Sequence, residues 1–190
     1  MSLSRRLLLG AGAVTALGAG ALGLGWWQVD GPGAAQPASP TRNLPRPLGE
    51  MDVTLTDHRG RRVTISDWVG WPSLVFFGFT NCPDVCPTDL ARNATAADIL
   101  AERGIDVGQV FITTDPARDT PAVLGDYAPM IHPGLVGLTG TPEEIAEVAS
   151  AYKVFYRKSG DDPETYLMDH STFTYLMGPG NQFLEFYPSS

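Results

Sequence analysis

An apolar run that ends in two cysteines constrains this chain more than any other stretch. Ser73-Leu-Val-Phe-Phe-Gly-Phe79 leads directly into Thr-Asn-Cys82-Pro-Asp-Val-Cys86-Pro87, and Cys82 and Cys86 are the only cysteines among 190 residues. Leu74 to Phe79 is short, aromatic and partly β-branched, the pattern of a strand buried on both faces inside a helix-covered sheet. Pro87 and the helix formers after it (Leu90, Ala91, Ala94, Ala97, Leu100) predict a helix to about Gly104. Both thiols therefore fall where a central strand hands over to a helix N-terminus. Unpaired amides and the positive dipole end favour thiolate at such a place.

The spacing of the thiols narrows their chemistry. On a helical turn, residues four apart share a face with Cβ atoms about 5–6 Å apart. Two sulfurs so placed can converge on one small ion. They can also form a disulfide after a modest backbone adjustment, since that bond needs Cβ atoms roughly 3.5–4.5 Å apart. The spacing is one residue wider than the C-x-x-C of a thioredoxin-type redox site. Two bland alternatives stand beside these: buried free cysteines acting as small apolar residues, and a structural disulfide whose tiny loop gives little entropic gain. Asp84 and Asp89 flank the thiols. Their charge opposes thiolate but favours a bound cation, which tilts the reading toward a metal.

From its start the chain divides into three stretches. Ser4-Arg5-Arg6 precedes a run from Leu7 to Val29 without charge or proline. That run is long enough to cross a bilayer, which takes about 20 residues, and Trp26-Trp27 suit an interfacial anchor. Paired arginines before a Gly/Ala-rich stretch also fit a twin-arginine export signal. Residues 1–30 are thus expected to be a membrane anchor or export signal, with an uncleaved anchor preferred. In either case the arginines stay inside and the rest faces the periplasm or cell exterior. Residues 31–47, rich in Pro, Gly and Ala, are expected to be a semi-extended linker, and 48–190 a single domain. The formal net charge of −8 argues against a nucleic-acid partner.

Within that domain, Val53, Leu55, Val63 and Ile65 alternate with polar residues around a turn with Asp57 and Gly60, which predicts a hairpin. Trp68 and Trp71 are expected at the edge of the core. Gln109–Thr114 reads as a second buried strand. A helix should follow, with Asp119 or Thr120 as N-cap and Pro121 at N1. Leu135–Leu138 is a short third strand, and Thr141-Pro-Glu-Glu144 is a capping box opening a helix to about Tyr152. This strand–helix alternation calls for a parallel, covered sheet. Ser159–Glu164 reads as a polar loop. Phe173–Met177 and Gln182–Tyr187, joined by Gly-Pro-Gly-Asn, read as a closing hairpin.

His170 lies just before that hairpin, and Asp169 precedes it as a possible partner for orienting the imidazole. Two cysteines and a histidine form a complete low-coordination set for a soft ion such as Cu(I). Zinc fits less well, because a tetrahedral site needs a fourth ligand or water and no further cysteine exists. Met168 and Met177 are better read as core residues than as thioether ligands. His58 and His132 read as loop residues.

Together, Phe77-Gly-Phe-Thr-Asn-Cys82-Pro-Asp-Val-Cys86-Pro87-Thr, Thr114-Asp115-Pro-Ala-Arg-Asp119-Thr-Pro121, Asp169-His170-Ser171 and Tyr175-Leu with Pro179-Gly-Asn181 resemble the Sco/SenC family over about residues 48–187. The resemblance implies an α/β fold: a thioredoxin-like central sheet flanked by helices, with an extra N-terminal β-hairpin. It implies copper, as Cu(I) and/or Cu(II), held by Cys82, Cys86 and His170. It implies a membrane-tethered copper chaperone that helps build the copper centre of cytochrome c oxidase, working with the copper-acceptor subunit and with other copper-trafficking or thiol-redox proteins. Asp115 and Asp119 match the family's acidic pair and are carried over as site-supporting residues. The alternative functions are a thiol-disulfide oxidoreductase, in which Cys82 and Cys86 form a redox-active disulfide pair and His170 is dispensable, and a copper or redox sensor.

Overall fold

In the computed structural model, residues 53–64, 67 and 70–189 are described. The anchor and linker expected over residues 1–47, together with Ile65 and Trp68, lie outside the described residues. No helix among the described residues is long and apolar enough to cross a membrane.

The run that led the sequence reading is the central strand β3 (Ser73–Gly78), buried at every position. It pairs in parallel with β4 (Gly108–Thr113), setting Phe76 opposite Phe111 and Phe77 opposite Ile112. β4 pairs in parallel with β5 (Leu135–Thr139). Around this parallel centre the sheet is antiparallel. β1 (Thr54–Asp57) joins β5 and carries β2 (Arg62–Thr64), while β8 (Phe173–Met177) joins β3 and carries β9 (Phe183–Pro188). The order is β2-β1-β5-β4-β3-β8-β9. Both expected hairpins are therefore present, one at each edge.

Alternation along the central strands divides the core in two. Phe76 and Phe111 face one side, where Leu90 of α1 (Val85–Ala101) and Leu124 and Ala128 of α2 (Pro121–Ile131) cover them. Val75, Phe77, Val110 and Ile112 face the other, where Ile145, Val148 and Ala149 of α3 (Pro142–Ala151) pack with Tyr152 and Tyr175. Fully burying a side chain of this size stabilises by about 1.5–3 kcal/mol, so the doubly covered strand is a firmly packed base for the residues that follow it. Thr120 caps α2, its side chain accepting from the Val123 amide, with Pro121 in the first turn. Thr141 and Glu144 form the capping box of α3.

One expectation needs correction, and one element was not foreseen. Trp71 does not pack at the core edge; it is 57% exposed, because it sits in the connection ahead of β3 rather than within an element. His170 lies just ahead of β8 as expected, but within an element the sequence did not announce. It ends β7 (Leu167–His170), which pairs with β6 (Tyr156–Ser159) in a separate two-stranded sheet flanking the polar loop. These strands carry mostly exposed residues, so no apolar alternation announced them.

Candidate metal centre

Where β3 ends, the chain turns sharply. The Cys82 amide donates to the Phe79 carbonyl at 3.2 Å, and the Thr88 amide closes the first turn of α1 onto the Asp84 carbonyl. Asp84 is the N-cap residue, but its side chain caps no amide. The free N-terminal amides turn instead toward Cys82. The Cys86 amide lies 3.4 Å from its Sγ, and the Asp84 amide also favours the charged form of that sulfur. Cys82 is half-buried at the surface of the turn, whereas Cys86 is fully buried among Phe76, Phe79, Leu90 and Phe111.

The third donor comes from β7. The His170 Nδ1 lies 3.0 Å from the Ser171 carbonyl, and since a carbonyl can only accept, Nδ1 carries the proton. Nε2 is thereby left as a lone pair, 3.5 Å from the Cys86 Sγ. Phe76 and Phe79 meet the imidazole edge-on, at ring separations of 6.3 and 5.9 Å, and fix its plane. The donor atoms of Cys82, Cys86 and His170 all lie within 4.8 Å of one another. Two sulfurs and one imidazole nitrogen so gathered form a soft, open donor set.

The two thiols share one proton unequally. The hydrogen bond from Cys86, with the amides at the head of α1, brings the Cys82 thiol down to about 3 despite its partial burial. The same bond, with deep burial and nearby Asp89, pushes the Cys86 thiol well up. In the metal-free reduced protein Cys82 is thus the thiolate and Cys86 the proton donor. One equivalent of iodoacetamide should therefore modify Cys82 before Cys86. Its rate should stay flat from about pH 5 to 8, since the thiolate is already formed throughout that range. Peptide mapping of the alkylated protein at several pH values checks this; a rate rising tenfold per pH unit across that range would contradict it.

The carboxylates serve other ends. Asp119, buried, accepts from the Thr80 amide (3.0 Å), the Thr80 hydroxyl (2.6 Å) and the Thr113 hydroxyl (2.6 Å). It anchors the turn ahead of Cys82, and burial raises its carboxyl above the usual range. Asp115, also buried, accepts from the Tyr166 hydroxyl at 2.7 Å and from Arg118 Nε at 2.5 Å. Asp169 does not orient the imidazole. Successive residues of a strand point to opposite faces, and its carboxylate sits on the exposed side, 2.8 Å from Arg157. The Ser171 carbonyl fills the orienting role instead. Met177 is a fully buried core residue, and Met168 packs half-buried beside the cluster around Cys86.

Gly78 is a site residue that sequence reasoning missed. A Cβ there would fall 2.7 Å from the Cys86 Sγ and 3.1 Å from the rings of Phe76 and Phe111. The absence of a side chain creates the room that Cys86 occupies, and its place one residue before the end of an apolar run was the available signal. Gly78→Ala should displace the sulfur, lower stability by about 1–3 kcal/mol and weaken metal binding. Denaturant unfolding with and without metal measures both.

A mixed sheet covered by helices on both faces, with two cysteines at the strand-to-helix corner and a histidine brought over them, defines a thioredoxin-like domain bearing a Cys₂His centre. The chain belongs to the SCO1/SenC family, whose model matches residues 44–190. It is 53% identical over 135 residues to Protein SenC of Rhodobacter capsulatus, covering 70% of this chain and 61% of that protein. It aligns with Arabidopsis thaliana ScoI, solved with copper bound, at 44% identity and a TM-score of 0.71, covering 74% of this chain and 88% of that one. It also aligns with BsSco, described as carrying a disulfide switch and as a member of the Sco family of cytochrome c oxidase assembly proteins, at 29% identity and a TM-score of 0.58, covering 74% and 84% of the two chains. The aligned segment spans 39–67% of the length of the first curated relatives.

Proposed function

We propose that this protein is a membrane-tethered copper chaperone. It binds copper through Cys82, Cys86 and His170 and delivers it during assembly of the copper centre of cytochrome c oxidase. The observation that carries the reading is the convergence of two sulfurs and a metal-ready Nε2 within 4.8 Å. Relatives solved with copper support the choice of ion, and the description of BsSco supports the link to the oxidase. The hydrophobic run after the paired arginines supports a tether, with the N-terminus inside and the domain facing the periplasm or cell exterior.

The residues fit the cargo. Cys82 is already a thiolate, so copper has only the Cys86 proton to displace, and uptake is coupled to pH and to the reduced state of the pair. Nδ1–H on the Ser171 carbonyl keeps Nε2 aimed at the ion. Three ligands leave the ion open to attack by an acceptor's own donors, and release proceeds by ligand exchange. The partners implied are the copper-acceptor subunit of the oxidase and other copper-trafficking or thiol-redox proteins.

A second reading is favoured by one observation, the asymmetry of the thiols. A half-buried thiolate at Cys82 beside a buried protonated Cys86 suits a thiol-disulfide reductant. Cys82 would attack a partner disulfide, and Cys86 would then displace the partner's thiolate. The partner would gain two electrons and this chain would become oxidised. His170→Ala separates the two. The chaperone reading expects transfer of copper to an oxidase subunit fragment to fail while reduction of a model disulfide persists. Unchanged function in that variant would favour the reductase.

A further inference from the structure

The two halves of the metal centre stand on unequal footings. Cys82 and Cys86 follow a fully buried strand, whereas His170 belongs to a two-stranded hairpin outside the main sheet whose residues are mostly exposed. Such a hairpin is marginal by itself in water. Some other contact must fix it over the cysteines.

Phe76 and Phe79 meet the imidazole itself; at the foot of β7 the strand is held by Tyr166. Only 8% exposed, its ring lies under the Arg118 guanidinium at 3.6 Å and near the Lys158 ammonium at 4.1 Å. Its hydroxyl donates to Asp115 Oδ1 at 2.7 Å. Arg118 donates to the other Asp115 oxygen and, through Nη1, to the Glu164 carbonyl at 3.3 Å. The loop between β4 and α2 receiving these bonds is itself locked. The Thr113 hydroxyl donates to Asp119 and accepts from the Asp115 amide, and the Asp119 amide bonds the Asp115 carbonyl at 2.9 Å. Through Asp119 the same loop holds Thr80, two residues before Cys82.

We infer that Tyr166, assisted by Arg118, is a positioning residue for the metal centre: its bond to Asp115 ties the strand bearing His170 to the loop that holds the turn bearing Cys82. The inference rests on the copper reading for its functional meaning. His170 lies four extended residues beyond the clasp, roughly 13 Å along the strand. Loosening the clasp frees the imidazole and leaves the two sulfurs in place.

The test uses the detergent-solubilised full-length chain with Tyr166→Phe, which keeps the ring under both cations and deletes only the hydroxyl. Arg157→Ala, which removes an exposed pair with Asp169 on the same hairpin, is the control. In the metal-free reduced protein, amides of β7 in Tyr166→Phe should exchange with deuterium roughly tenfold faster, while β3 and β8 exchange as in the wild type. After loading with Cu(I), X-ray absorption should show two sulfur scatterers with the imidazole contribution lost. Arg157→Ala should match the wild type in both. Wild-type exchange with the imidazole retained in Tyr166→Phe overturns the inference, as does equal loosening of β8, which marks a merely structural role. If the wild type takes up no Cu(I), the copper reading fails. The exchange arm then decides alone: faster exchange confined to β7 supports the clasp and unchanged exchange overturns it.

Discussion

Cys86→Ser should lower Cu(I) affinity by at least about a hundredfold, on the order of 3 kcal/mol per ligand in thiolate metal sites. Cys86 is the hinge of the donor set. Its amide faces the Cys82 sulfur at 3.4 Å and its own sulfur lies 3.5 Å from the His170 Nε2. Removing that sulfur leaves one half-buried thiolate and one imidazole, too few donors for a soft ion. The change should also reach the metal-free protein. A hydroxyl in place of the buried thiol gives Cys82 a different hydrogen-bond donor, so its titration should shift from about 3. Competition with a chromogenic Cu(I) chelator measures the affinity. Thiolate absorbance against pH measures the second effect. Copper affinity within tenfold of the wild type would show that Cys86 is not a ligand.

Asp119→Ala should be the most destabilising of the site variants. It strands two hydroxyls and one amide that the carboxylate accepts at 2.6–3.0 Å. Leaving buried donors unpaired costs about 1–3 kcal/mol each, so a loss near 4 kcal/mol is expected, seen as a melting temperature lower by roughly 10 °C. Copper binding should fall as well, because Thr80 fixes the turn that carries Cys82. A variant that melts like the wild type would show that Asp119 does not organise this turn.

The parts of the fold that apolar patterning specifies were legible in the sequence. Leu74–Phe79 could be little other than a doubly covered strand, and the capping box at Thr141–Glu144 placed α3 to within a residue. Cys82 and Cys86 announced themselves by spacing and by their place at the corner. The hairpin β6–β7 was not legible. Tyr-Arg-Lys-Ser and Leu-Met-Asp-His put only Tyr156 and Met168 against the core, so the sequence shows no apolar alternation to detect. The same blindness misassigned Asp169. Adjacent to His170 in sequence, it lies across the strand from it in space and pairs with Arg157. Tyr166 was missed because a buried aromatic normally signals packing, and only its hydroxyl bond to Asp115 across 51 positions reveals another role.

Copper stoichiometry and ligation of the reduced full-length protein test the central claim most directly. The wild type, Cys82→Ala and His170→Ala are loaded with Cu(I) without oxygen, challenged with a chelator, and examined by X-ray absorption. The account predicts one copper per wild-type chain, bound by two sulfurs and one imidazole. Copper should be absent from Cys82→Ala and held more weakly in His170→Ala. A reduced wild type that surrenders all its copper, or a Cys82→Ala variant that retains as much, would contradict it.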